Sequence, residues 1–80
     1  MKDVLCDILP DCDGWTYELA GRTSPRFHTY DLAFAAAVTA ARDRAARVKF
    51  KGIVIRRQDL QGQMREVLKE VRAAALVPQH

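Results

Sequence analysis

The 80-residue chain is 49% hydrophobic and 29% charged, with a formal net charge of +3. That composition excludes a disordered tail and fits one domain near the lower size for an independent core. No run approaches the roughly 20 apolar residues of a membrane helix, and acidic residues break the apolar character of the first seven positions, unlike a signal peptide.

Cys6 and Cys12 are fewer cysteines than a small secreted domain normally uses as staples, so the expected compartment is the cytoplasm. Charge is polarised along the chain. Residues 1–21 set Lys2 against Asp3, Asp7, Asp11, Asp13 and Glu18, whereas residues 42–57 set seven bases against Asp43 alone.

Val4, Cys6 and Ile8 alternate with acidic positions, which predicts a first strand over 3–9 with one face inward. Pro10-Asp11-Cys12-Asp13-Gly14 is a dense turn signal. Trp15, Tyr17 and Leu19 then alternate with Thr16, Glu18 and Ala20, so a second strand should close an antiparallel hairpin through a loop of about five residues. Residues 21–26 read as a loop, with a short strand at 26–28 as an option.

Thr29 is an N-cap candidate, because its hydroxyl can accept a hydrogen bond from an amide of the first helical turn, and Asp31 suits the positive end of the dipole. A helix is predicted from about Tyr30 to Arg47, with Tyr30, Phe34, Ala37, Val38, Ala41, Ala45 and Val48 on the stripe facing the sheet. Residues 48–57 read as a further strand with a bulge at Gly52.

Leu60, Met64, Val67, Leu68 and Val71 recur at helical spacing, which favours a helix over at least 65–76. The rival places a turn at Asp59–Gly62 and a short strand at 64–67, and Gly62 suits the turn better than the helix. The expected architecture is a single α+β domain over 1–77: an antiparallel sheet of about three strands, one long helix across it and a C-terminal helical segment (β-β-α-β-α). Residues 78–80 form a loose tail.

No phosphate loop, dinucleotide fingerprint, zinc-knuckle pair or nucleophile elbow is present, and the expectation is a non-enzymatic module without cofactor or metal. Cys6, Cys12 and His28 are too dispersed for a metal signature and read as a buried small residue, an exposed thiol and a surface histidine. His28 lacks a third group and an oxyanion site for catalysis. Trp15, Tyr17, Phe27, Tyr30 and Phe34 resemble a stacking platform in composition, yet their face is the one the helix must cover, so core packing takes precedence.

The candidate site is the basic segment: Arg42, Arg44, Arg47, Lys49, Lys51, Arg56 and Arg57. Phosphate contacts need clustered, accessible bases, so nucleic acid is the leading expected partner. The alternative is a homodimer formed through residues 60–76 or an exposed strand edge, since association is a common way for so small a domain to bury more surface. No membrane or small-molecule substrate is indicated.

Gly14-Trp15, Phe27-His28-Thr29 and Ala35-Ala36-Ala37, followed by Gly52-Ile53-Val54-Ile55 and the Asp59–Gly62 turn, resemble a family of small bacterial domains of unknown function over about residues 8–67. The resemblance implies a β-β-α-β plan, similar in outline to double-stranded-RNA-binding domains and integrase arm domains, and supplies no catalytic residues. Leu32 stands where that family often has an acidic residue, so the capping box is missing. Arg65 is the only base over 61–67, where double-stranded-RNA-binding domains carry a lysine cluster.

Overall fold

A computed structural model describes residues 3–48 and 52–71. Strand β1 (Val4–Asp11) and β2 (Gly14–Leu19) pair antiparallel through a two-residue turn, Cys12-Asp13, closed by Asp11 opposite Gly14. The strands therefore run closer to the turn than the expected five-residue loop. Pro10 is tolerated inside β1 because its partner Trp15 directs its own N–H and C=O away, to Phe27 (2.8 and 2.7 Å). The glycine after the turn is required. A Cβ at Gly14 would run into the Phe27 carbonyl and the Arg26 side chain.

Ala20 and Gly21 both take positive φ (54° and 79°), as a two-residue type I′ turn demands, and deliver β3 (Arg22–Thr23) to the edge of β2. The third strand thus lies at 22–23. The 26–28 option reduces to one bridge, Phe27 to Trp15, because Pro25 interrupts the ladder. Between them Ser24 continues the pairing: its N–H donates to the Tyr17 carbonyl (2.8 Å), and its Oγ accepts from the Tyr17 N–H (2.9 Å).

Helix α1 (Tyr30–Val48) starts where expected, with the Leu32 N–H donating to Thr29 Oγ1 at 3.1 Å. Ala33, Ala37, Val38, Ala41 and Ala45 are buried, and Tyr30 and Phe34 are half-buried on the same stripe. Alanine at four of the five buried positions lets the helix approach the sheet closely. Beneath it lie Val4, Cys6 and Ile8 of β1 and Ile53 and Ile55 of β4 (Gly52–Gln58). Burial pushes the Cys6 thiol pKa up to about 12, with Asp7 adding to the shift. No described helix is long and apolar enough to cross a membrane.

β4 pairs parallel with β1, and β5 (Met64–Val71) pairs antiparallel with β4, giving one mixed sheet in the order β3-β2-β1-β4-β5. This corrects the sequence reading in two respects. The sheet has five strands and is mixed, and residues 64–71 form a strand where a helix was favoured. Leu60, counted in the helical stripe, is 98% exposed at the loop. The Asp59–Gly62 turn is specified chemically: Asp59 Oδ1 accepts from the Gln61 and Gln63 amides (2.9 Å each), and Gly62 has φ 83°.

Once that turn forms, β4 offers a full ladder to the next eight residues, which outweighs the helical spacing. The expected bulge at Gly52 lies elsewhere, between Ile55 and Arg56, where pairing jumps from Leu68 to Glu66 and leaves Val67 without an opposite residue. Gly52 is needed for another reason, since a Cβ there would meet the Glu70 carbonyl. Phe50 of the predicted fourth strand, residues 72–76 of the predicted helix and the tail at 78–80 lie outside the described residues.

Candidate anion-binding surface

Of the seven predicted bases, Lys49 and Lys51 lie outside the described residues, and the other five do not converge on one patch. Arg42 projects from α1 and forks onto Glu70 of β5, with Nε donating to Oε1 at 3.0 Å and a terminal N–H to Oε2. The paired hydrogen bonds hold the Glu70 carboxyl below its usual pKa and raise that of Arg42. Arg56 makes the same fork to Asp7 (2.7 and 2.8 Å), its partner across the β1–β4 ladder, on the sheet face opposite the helix. These two arginines tie elements together.

Arg47 pairs with Asp43 one helical turn earlier at 3.2 Å, with both side chains largely exposed. Arg44 is half-buried and has no carboxylate within ion-pair distance among the described residues. It lines an open groove of about 520 Å³ with Leu19, Ala20, Arg22, Ala40, Asp43 and Arg47. Arg22 likewise has no carboxylate partner there.

The groove follows from two local features. The Ala20-Gly21 turn folds Arg22 back along β2, and helical spacing places Ala40, Arg44 and Arg47 along one side of α1. Three guanidinium groups thus face a single carboxylate. Arg22 was missed by the sequence reading because it sits twenty residues before the basic segment. The only available signal was that a tight turn at Ala20-Gly21 would return it toward the helix.

Arg57 is held differently. Its guanidinium lies over the Tyr30 ring (4.6 Å to the centroid) and the Trp15 ring (5.3 Å), and those rings meet edge to face at 5.3 Å. Trp15, Tyr17, Phe27, Tyr30 and Phe34 are all partly buried and packed against the core, on the side predicted for them. Cys6 is buried, Cys12 is exposed at the hairpin tip, and no group of three metal-ligating side chains occurs among the described residues.

Comparison with family models, with curated proteins and with solved structures yields no match, so any functional assignment rests on these residues.

Proposed function

We propose that the protein is a non-enzymatic nucleic-acid-binding module that contacts phosphates through the groove between β2, β3 and α1. One observation carries this reading: Arg22 and Arg44 line the same groove without carboxylate partners among the described residues, and Arg47 lines it with them. An arginine fork matches phosphate geometry and loses less hydration than an ammonium on binding, so convergent unpaired arginines favour a phosphate-bearing partner. The predicted segment is thereby divided. Arg44 and Arg47 face the ligand, Lys49 follows them in sequence, and Arg42 and Arg56 serve the fold.

Anisotropy titrations with labelled single- and double-stranded oligonucleotides test the proposal. Removing both groove charges in R22Q/R44Q should weaken duplex binding at least about tenfold and flatten the salt dependence by roughly two ionic contacts. K69Q, which removes a charge from the opposite sheet face, should change affinity less than about twofold. Equal losses per charge removed in the two variants would reduce the effect to net charge and remove the groove from the argument.

A second reading has its own observation. The sheet face away from α1 exposes Leu5 (45%) and Val67 (41%), beside half-buried Leu9 and Val54. On that reading the protein associates with another protein, a second copy included, and light scattering would give a mass near twice the 9.0 kDa chain. The segment 60–76 does not serve it as an amphipathic helix, because residues 64–71 are strand β5.

A further inference from the structure

A second cluster of cations lies near the N-terminal end of α1, far from the groove. Tyr30 precedes Arg44 by fourteen positions, or about 21 Å of helix rise. Here Arg57 of β4 stands directly opposite Arg65 of β5 on the antiparallel ladder, so both side chains leave the same face of the sheet. Like charges in opposed positions destabilise a strand pair. A third group of opposite charge is needed to make the arrangement favourable.

The surroundings supply only part of it. Arg65 Nε donates to Asp59 Oδ2 at 2.8 Å, and Asp59 is held in turn by the Gln61 and Gln63 amides. That hydrogen bond keeps the Asp59 carboxyl below its usual pKa. Arg57 receives no carboxylate among the described residues. Its guanidinium carbon lies over Tyr30 and Trp15, and its N–H groups have no acceptor among the described residues. The result is an exposed guanidinium over two aromatic rings, rooted opposite a second arginine of which only Nε meets a carboxylate among the described residues.

We infer that this corner is a second anion site, built for a phosphoryl group. The chemistry favours phosphoryl over carboxylate. Two arginines rooted opposite each other on neighbouring strands offer more donors than one carboxylate can accept, and Asp59 takes only the Nε–H of Arg65, whereas a tetrahedral anion with several acceptor oxygens can match both. The phosphoryl group can belong to a nucleic-acid backbone or to a free phosphate ligand. The inference does not depend on the groove.

Trp15 is the only tryptophan, so its indole N–H gives one resolved signal beside Arg57. Nitrogen-15 NMR of the whole chain would follow that signal and the Arg57 Nε–H during titration with inorganic phosphate, with a short oligonucleotide, and with chloride at matched ionic strength. Both signals should move saturably with phosphate and stay still with chloride. R57Q should abolish the Trp15 response, R57K should weaken it at least about fivefold by losing the fork, and R22Q/R44Q should leave it intact.

A response to phosphate alone assigns a free phosphoryl ligand, and a response to the oligonucleotide that competes with phosphate assigns the backbone. In the first case this site stands apart from nucleic acid, and the groove is judged separately by the R22Q/R44Q titrations. Absence of a saturable phosphate shift in the wild type, or its persistence in both R57Q and R65Q, overturns the inference. R65Q serves as the second variant should R57Q disturb the Tyr30–Trp15 packing.

Discussion

On the side covered by α1, Cys6, Ile8, Ile53 and Ile55 are sealed beneath small helix residues, while the opposite side of the same strands presents Leu5, Asp7, Leu9, Val54 and Arg56 without a second layer among the described residues. Both sides contain apolar residues and an arginine–carboxylate fork. They differ in what surrounds them. On the covered side the forked pair, Arg42 with Glu70, sits at the margin and fastens the helix to the last strand. On the open side the pair, Arg56 with Asp7, crosses two central strands that no helix covers among the described residues. Burial therefore holds one face, and polar pairing organises the other.

The largest expected contrast is in core truncation. Ile55→Ala removes a fully buried side chain under α1 and should cost about 2–5 kcal/mol, a large share of what so small a domain possesses. Leu5→Ala, on the same sheet but facing out, should cost less than about 1 kcal/mol. Urea denaturation of the two variants measures the difference. A Leu5→Ala loss as large as that of Ile55→Ala would mean that the open face is covered in solution, and would favour the association reading.

Next in size is the open-face ion pair. Asp7→Ala leaves Arg56 partly buried with its fork unmatched, and should cost about 1–3 kcal/mol. Asp7→Leu combined with Arg56→Met should recover most of that loss, because an apolar pair of similar volume removes the desolvation cost along with the attraction. Recovery would show that the pair is compatible with stability without being its source. Failure to recover would mean that its geometry specifies the β1–β4 register, in which Asp7 and Arg56 are direct partners.

The division between the two faces also explains what the sequence could disclose. Val4-Cys6-Ile8 and Trp15-Tyr17-Leu19 alternate cleanly because one of their faces is buried, and Thr29 caps α1 through a purely local hydrogen bond. Such features are legible in a single chain. Residues 64–71 were not, because the bulge at Val67 shifts the strand alternation by one and leaves Met64, Leu68 and Val71 at helix-like spacing. The site was less legible than the fold. Arg42, Arg44, Arg47, Arg56 and Arg57 are close in sequence, but their roles depend on Glu70, Asp7, Trp15 and Tyr30, which only the folded topology brings to them.

The smallest predicted effect concerns acid. Glu70 and Asp59 are both held below their usual pKa by hydrogen bonds from Arg42 and Arg65. Their carboxylates therefore bind protons less readily in the folded chain than in the unfolded one. The stability they contribute is fully present above the unfolded carboxylate range of about pH 4, and it is lost as pH falls through their lower folded values. Glu70→Gln should flatten the loss of stability below about pH 4, and Asp59→Asn should do so at the turn, with little change in slope near neutrality. Both pairs lie near the surface, so added salt should shrink the effect.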